Sequence, residues 1–258
     1  MPQFAANLTM MFTELPFPER FAAAAKAGFK AVEFLFPYDH PAVEVAGWLK
    51  ENGLVNALFN LPPGDFAGGE RGIASLPGRE REFRDGLARA VEYALALGTP
   101  KVHCMAGYFP AGGDRARHRA VYLENLRLAA REMGKHGRIV VIEPINHRDM
   151  PGYFLNTQAE GCAILREVGL PNLKLQMDFY HCQIVEGDLS MKFRRNFADI
   201  GHVQIASVPD RHEPDEGEVD YRHVFRLLDE MGYGGYVGLE YQPRGRTEDG
   251  LGWFAGYR

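Results

Sequence analysis

The 258-residue sequence predicts an α/β protein that folds as a single (β/α)8 TIM barrel spanning residues 1–258. Three observations predict this fold. The length is close to the roughly 250 residues of such a barrel. Short apolar runs alternate with helical segments along the whole chain, which is typical of βα units and a parallel sheet. Polar side chains stand at the ends of successive predicted strands, and a barrel would gather these ends at one mouth.

Eight short segments are predicted to be strands because they are rich in apolar and β-branched residues. They cover residues 4–8, 31–35, 55–60, 101–105, 139–143, 173–178, 202–205 and 236–240. Several are nearly continuous apolar runs, such as Ile139-Val140-Val141-Ile142. Such a run predicts a strand that is covered on both faces, as in a parallel sheet with helices outside it.

Seven helices are predicted between these strands. They cover residues 19–27, 41–52, 80–97, 117–135, 157–169, 189–197 and 220–231. Most end at or beside a glycine, the residue favoured where a helix stops. Thr157 and Glu160 have the spacing of a capping box, which marks a helix start.

Three long non-helical stretches follow predicted strands, at residues 61–79, 106–116 and 207–218. In a barrel these loops lie together at the carboxyl-terminal mouth, where active sites are built. A doubly wound open sheet is the alternative fold. It is disfavoured because residues 7–11, after the first strand, contain no glycine for a phosphate-binding turn.

The composition is that of an ordinary globular protein, with 46% hydrophobic and 24% charged residues. The formal net charge of -5 and the absence of a basic stripe argue against a nucleic-acid partner. The acidic balance also means that an arginine or lysine holding an anionic substrate must act locally.

The cysteine content and the amino terminus predict a cytoplasmic protein. Cys104, Cys162 and Cys182 are few, odd in number and not paired in a metal-binding spacing, as expected in a reducing compartment. No signal peptide is expected in front of the first strand, and no apolar stretch approaches the roughly 18 residues of a membrane span. The expected partner is a small molecule, and a homo-oligomer is compatible with the sequence.

The residues expected to form the active site lie on the last four strands, at or near their ends. Glu143 ends the fifth strand, Asp178 the sixth and Glu240 the eighth, while Gln204 lies on the seventh. A barrel would bring these four oxygen-bearing side chains to one point at its mouth. A carboxylate at the end of an apolar strand is costly to bury unless it is paired or binds a cation. Carboxylate and amide oxygens are ligands typical of Mg²⁺ or Mn²⁺, so a shared divalent-metal site is expected over four independent structural roles.

The sequence resembles the hydroxypyruvate isomerase family within the xylose-isomerase-like barrels, and the resemblance covers essentially the whole chain. The segments that carry it are FAANLTMMF at 4–12, AVEFLFP at 31–37, LPGRE at 76–80, PDRHEP at 209–214 and GLGWF at 250–254. The resemblance implies an isomerase that converts hydroxypyruvate to 2-hydroxy-3-oxopropanoate, or one that acts on the related four-carbon 2-oxo-tetronate. It implies that Glu143 and Glu240 are the acid/base pair, and that these two residues bind the metal together with Asp178 and Gln204. Many relatives have a histidine where this chain has Gln204, which weakens the expected metal binding.

The residues themselves suit this reaction. Moving a carbonyl to the neighbouring carbon requires a base that removes a proton and an acid that returns one next door, and two carboxylates can exchange these roles. A divalent cation would stabilise the enediolate that forms between the two steps.

Three further residues are expected to contact the substrate. His181 lies three residues beyond Asp178, in a predicted loop, and resembles a substrate-contacting histidine of related barrels. His103 lies on the fourth strand and points either to the lumen or to the helices. Arg211 follows the seventh strand, where it can bind the substrate carboxylate or form an ion pair with Glu213 or Asp215.

Other functions remain as alternatives. A ketose 3-epimerase on the same scaffold would act on neutral sugars. An abasic-site nuclease would need a histidine-rich three-metal cluster and a basic groove, and the charge balance and Gln204 argue against it. A non-catalytic barrel that binds sugar acids would tolerate the loss of either glutamate.

Overall fold

The computed structural model describes residues 1–257 and contains a closed barrel of eight parallel strands. Each strand pairs with its neighbours in chain order, and β1 pairs with β8 to close the sheet. The strands are β1 Gln3–Asn7, β2 Ala31–Glu33, β3 Val55–Asn60, β4 Lys101–His103, β5 Ile139–Ile142, β6 Leu173–Asp178, β7 Ile200–Ile205 and β8 Tyr236–Leu239. This arrangement confirms the predicted fold class.

Eight α-helices within residues 1–257 cover the barrel. They are α1 Phe17–Lys26, α2 Ala42–Glu51, α3 Glu80–Ala96, α4 Arg115–Gly134, α5 Gln158–Val168, α6 Phe179–Val185, α7 Leu189–Asn196 and α8 Tyr221–Glu230. Two 3-10 segments, Phe197–Asp199 and Thr247–Tyr257, complete the regular structure. The apolar faces of the helices pack on the outer faces of the strands, and this layer forms the main hydrophobic core.

Seven of these helices were predicted within a few residues, and α6 was missed. It begins directly after β6 because the Asp178 carboxylate caps it by accepting a hydrogen bond from Tyr180 N at 2.7 Å. His181 therefore lies in a helix and not in the predicted loop. The capping box at α5 is only half formed. Thr157 Oγ1 accepts from Glu160 N, but the Glu160 carboxylate accepts from Asn156 N and not from Thr157.

The barrel lumen is polar in its carboxyl-terminal half. His202 Nε2 on β7 lies 2.8 Å from Glu33 Oε2 on β2, and both side chains are fully buried. These strands are not neighbours, so the contact crosses the lumen. Gly238 on β8 leaves room for it, because a Cβ there would lie 2.4 Å from both carboxylate oxygens of Glu33. The lumen thus holds a buried carboxylate directly beneath the mouth.

Among residues 1–257, the four longest loops that follow strands lie at the carboxyl-terminal mouth and form much of its rim: residues 61–79, 104–114, 143–157 and 206–220. Three of them overlap the long loops predicted from the sequence. The loop of residues 143–157, between β5 and α5, was not singled out, although it is one of the longest.

Candidate active site

Three carboxylates meet at the carboxyl-terminal mouth of the barrel. Asp178 is the last residue of β6, and Glu143 and Glu240 directly follow β5 and β8. All three are buried. One ligand-type atom from each, together with one from His181, forms a group in which all the atoms lie within 4.8 Å of one another. The convergence expected for these three strand ends is therefore present.

The burial of these carboxylates disfavours their charged forms. Burial, with Glu240 and Asp178 nearby, raises the pKa of Glu143 well above its usual value. Burial likewise raises the pKa of Asp178 to about 6 and that of Glu240 to about 8. Arg211 acts in the opposite direction on all three pKa values. Among residues 1–257 it is the only arginine or lysine in an ion pair with any of them.

This arrangement fits a divalent cation. Glu143 Oε1 and Asp178 Oδ2 are buried and have no hydrogen-bond partner among residues 1–257. Buried acceptors without a partner are unfavourable, and a cation between them would satisfy both. Ligands of a six-coordinate Mg²⁺ at about 2.1 Å lie about 3 to 4 Å from one another, which is compatible with the spacing of the group. The residues can therefore hold a divalent metal.

Gln204 lies beside this group in a chain of hydrogen bonds. It is in register with Asp178 across the β6–β7 pair. Its Nε2 donates to Glu33 Oε1 at 2.7 Å, and its Oε1 accepts from Gln176 Nε2 at 2.5 Å. Because a carboxylate only accepts, Glu33 fixes which end of the amide is the oxygen. That oxygen keeps a second lone pair, so Gln204 remains able to act as an oxygen ligand.

His181 faces the carboxylates with a nitrogen that carries a proton. Asp149 N donates to Asn146 Oδ1 at 2.7 Å, which orients the Asn146 amide so that its Nδ2 points at His181 Nδ1, 2.7 Å away. Asn146 N also donates to this Nδ1. With Nδ1 as an acceptor, neutral His181 carries its proton on Nε2.

The protonated Nε2 of His181 lies 3.7 Å from Asp178 Oδ2 and 3.8 Å from Glu143 Oε1. Burial, followed by Arg211, lowers the pKa of His181 well below its usual value, so the ring is neutral. A nitrogen that carries a proton donates hydrogen bonds and does not ligate a metal. Although His181 is close enough to be a ligand, its hydrogen bonds favour contact with an oxygen atom of a substrate.

His103 points into the lumen, which decides between the two orientations left open by the sequence. Its Nδ1 lies 3.7 Å from Glu143 Oε2, and its Nε2 has no hydrogen-bond partner among residues 1–257. Burial lowers the pKa of His103 to about 3, so the contact with Glu143 involves a neutral ring.

Arg211 forms an ion pair with Glu240, and this differs from the pairing considered from sequence. Arg211 Nη2 lies 2.6 Å from Glu240 Oε2, and Arg211 Nη1 lies 3.6 Å from Asp149 Oδ2. The acidic residues of its own loop, Glu213 and Asp215, pair instead with Arg244.

Sequence reasoning missed several polar residues of the site. Asn7, at the end of β1, donates to Glu33 Oε1 at 3.0 Å and lies 3.5 Å from Glu240 Oε1. Its position at a strand end was the available signal, since the same criterion identified the glutamates. Asn146 carried no such signal, because only the folded loop brings it to His181.

No helix within residues 1–257 is long and apolar enough to cross a membrane.

Comparison with known proteins shows which family the chain is similar to. The profile of the family described as xylose isomerase-like TIM barrel matches residues 21–257. A 2-oxo-tetronate isomerase of Cupriavidus necator is 59% identical over 257 residues, covering 100% of this chain and 99% of that protein. A hydroxypyruvate isomerase of Escherichia coli is 46% identical over 258 residues and is covered completely, as is this chain.

A solved structure from Brucella melitensis, titled AP endonuclease, family 2, has a TM-score of 0.98 and 52% sequence identity, with 100% of both chains covered. The fold, the converging carboxylates and the similarity over the full length agree with one another. The chain belongs to the xylose isomerase-like TIM barrel family and is an isomerase.

Proposed function

We propose that the protein moves the carbonyl group of a small 2-oxo-3-hydroxy acid from C2 to C3 by carboxylate-mediated proton transfer. The observation that carries the proposal is the pair Glu143 and Glu240, two buried carboxylates with raised pKa values that face one centre at the barrel mouth. Acid/base groups work best when their pKa lies near the working pH, and burial moves both groups in that direction.

The four-carbon 2-oxo-tetronate is the first candidate substrate. The relative at 59% identity bears that activity in its name, and the hydroxypyruvate isomerase relative is 46% identical. The sequence reasoning placed the three-carbon acid, hydroxypyruvate, first. Both acids carry the same reacting unit, a C2 carbonyl beside a C3 hydroxyl, so one set of residues serves either substrate.

In the proposed reaction, Glu240 acts as the base. Its carboxylate is the easier of the two to ionise, because Arg211 donates to it directly. It takes the proton from C3, the C3–H electron pair forms the C2–C3 double bond, and an enediolate results. Glu143 in its acid form then donates a proton to C2. The O3 hydroxyl proton is lost as the new carbonyl forms at C3, and O2 gains a proton. The reverse reaction exchanges the two roles.

His181 and His103 would orient the substrate. The Nε2–H of His181 can donate to a substrate oxygen next to Glu143 and Asp178. His103 offers a second neutral imidazole beside Glu143. Neutral rings suit this position, because they donate hydrogen bonds without adding positive charge beside Glu143, which accepts the proton in the reverse reaction.

Glu143, Asp178, Gln204 and Glu240 would hold a divalent metal, Mg²⁺ or Mn²⁺. When bound, such an ion supplies electrophilic stabilisation of the negative charge that develops on the substrate oxygens.

Turnover in D2O tests the proton route. A proton held on a glutamate can exchange with water, so we expect product formed at low conversion to carry deuterium at C2, measured by mass spectrometry against an enzyme-free control. Two results together would exclude the mechanism. The product would retain all of the original hydrogen, and the Glu143→Gln and Glu240→Gln variants would both stay active.

A substrate panel tests the activity itself. The panel contains 2-oxo-tetronate, hydroxypyruvate, neutral ketoses and a duplex with an abasic site, each assayed with EDTA or with added Mg²⁺. We expect turnover of the two oxo acids. Turnover confined to neutral ketoses would indicate an epimerase, and strand incision would indicate a nuclease. Acid binding without turnover would indicate a non-catalytic barrel.

A further inference from the structure

A cavity at the rim of the barrel mouth carries three arginines. It has a volume of about 590 Å³ and is lined by Arg71, Arg148 and Arg211, which lie on the loops that follow β3, β5 and β7. Arg211 connects this cavity to the catalytic carboxylates through its ion pair with Glu240. Asp149 and Asp210 also line the cavity, so its arginines outnumber its carboxylates by one. A cavity with this excess of positive charge, sharing Arg211 with the reacting centre, suits the anionic end of a substrate.

Two of the three arginines already form ion pairs with carboxylates of the protein. Arg211 forms ion pairs with Glu240 and Asp149. Arg148 Nη2 donates to Pro209 O at 2.6 Å and to Tyr180 Oη at 3.1 Å, and its Nε lies 3.7 Å from Asp149 Oδ1.

Arg71 is different, because no carboxylate within residues 1–257 pairs with it. Its Nη1 donates to Glu70 O at 2.8 Å and to Phe66 O at 3.2 Å, while one face of the guanidinium lies over the Phe66 ring, 3.9 Å from the centroid. The adjacent carboxylate of Glu70 is bound by Arg79 at 2.7 Å instead.

These contacts leave one edge of the Arg71 guanidinium available. Two carbonyls use the two protons of Nη1, and the aromatic ring covers one face. Nε and Nη2 make no hydrogen bond among residues 1–257. Together they form the edge that binds a carboxylate through two parallel hydrogen bonds. The side chain is therefore held in place with a carboxylate-binding edge unused.

The backbone beside Arg71 is also held firmly. Gly72 has a φ of 100°, and a Cβ there would lie 2.3 Å from Met105 O, so only glycine allows the loop after β3 to approach the loop after β4 so closely. Gly107 meets Gly72 O in the same way, with its own Cβ position 2.4 Å from that oxygen. Hydrogen bonds from Gly72 N to Pro63 O and from Ser75 N to Ala106 O complete the anchoring.

We propose that Arg71 binds the carboxylate of the substrate through its Nε and Nη2 edge, with Arg148 adding positive charge from the loop after β5. The proposal rests on the proposed function, since it assigns the acid group of that substrate to a subsite. Arg211 then contacts the reacting end of the substrate beside Glu240. Arg71 is the residue that makes the enzyme select acids over neutral sugars.

The first test compares the acid with its neutral counterpart. Erythrulose is 2-oxo-tetronate with a hydroxymethyl group in place of the carboxylate. In Arg71→Met we expect kcat/KM for 2-oxo-tetronate to fall about 10- to 100-fold, mainly through KM, as expected for loss of a hydrogen-bonded charged contact. Activity on erythrulose should not change, and Arg71→Lys should recover part of the loss. Arg81→Met is the matched control, because the Arg81 side chain is 90% exposed and lies on α3.

The second test measures binding without turnover. Calorimetry with 2-oxobutanoate, an acid that lacks the C3 hydroxyl, is carried out at one fixed Mg²⁺ concentration. We expect Arg71→Met to raise the Kd about 10- to 100-fold relative to both the wild type and Arg81→Met. An unchanged Kd in Arg71→Met would overturn the proposal. The protein could bind 2-oxobutanoate in a way that depends on Arg71 and yet isomerise neither 2-oxo-tetronate nor hydroxypyruvate. This outcome would refute the proposed function and leave the carboxylate subsite in place.

Discussion

Arg211 Nη2 donates a hydrogen bond of 2.6 Å to Glu240 Oε2, and this contact couples the loop after β7 to the carboxylate after β8. The Arg211 backbone is left-handed, with a φ of 60°, and its carbonyl accepts from Gln242 N at 2.8 Å. A non-glycine residue in this conformation is strained, and such strain is often found at functional sites. Burial raises the pKa of Glu240 to about 8, and Arg211 keeps it from rising further.

Replacement of Arg211 by methionine should therefore make Glu240 harder to ionise. Because the arginine lowers the pKa of Glu240, its removal raises that pKa, and the acidic limb of the kcat/KM profile should move to higher pH. Arg211→Lys retains the charge and should move the limb less. Steady-state rates from pH 5.5 to 9.5 measure both. If the acidic limb of the kcat/KM profile lay at the same pH in Arg211→Met as in the wild type, Glu240 would not act as the ionised base.

Glu143→Gln and Glu240→Gln should each lower kcat on the order of 10²–10⁴-fold, the usual contribution of a positioned acid or base. The amide keeps the volume of the side chain but cannot carry the proton. Thermal melting serves as the control and should show a folded protein in both variants. Near-normal kcat in either variant would contradict the two-carboxylate mechanism.

A crystal soaked in Mn²⁺ should show an anomalous peak between Glu143, Asp178, Gln204 and Glu240, with oxygen distances of about 2.0–2.2 Å. His181 should lie outside the coordination sphere, because its Nε2 carries the proton. His181→Asn should therefore keep the peak and lose activity. A Mn–N bond to His181 would contradict the tautomer that Asn146 imposes.

The metal-free protein should lose stability as the pH rises from about 4.5 to 8. The pKa values of Asp178 and Glu240 are raised in the folded state, to about 6 and about 8. The folded protein thus retains protons that the unfolded chain has lost, and this stabilisation disappears as the pH passes through the folded-state values. Mn²⁺ should accordingly raise Tm more at pH 8 than at pH 6, because it binds the ionised carboxylates.

Melting curves with EDTA or Mn²⁺ at the two pH values measure this effect. Glu240→Gln is the matched variant, and its melting temperature in EDTA should depend less steeply on pH. An equal gain from Mn²⁺ at both pH values would show that protons and metal do not compete for these carboxylates.

The barrel and the three carboxylates could be predicted because each depends on local pattern. A run such as Ile139–Ile142 specifies a buried strand, and a polar residue at its end can face only the mouth. The tautomer of His181 and the unused edge of the Arg71 guanidinium could not be predicted in this way. The tautomer of His181 depends on Asn146, which lies 35 residues away, and the free edge of Arg71 results from Glu70 pairing with Arg79. Helix α6 was missed because it begins directly after β6, with no loop between them to mark the start of a helix.

The dual use of Asp178 restricts how this position can change during evolution or design. One oxygen caps α6 through Tyr180 N, and the other is directed at the metal-binding group. Asparagine could keep the cap only by turning its amide nitrogen to the cation, or offer its single oxygen to the cation and lose the cap, and glutamate would move both oxygens one carbon further away. We therefore expect libraries randomised at this codon to return aspartate, whereas outer-rim positions such as Arg148 should tolerate many residues while substrate preference changes.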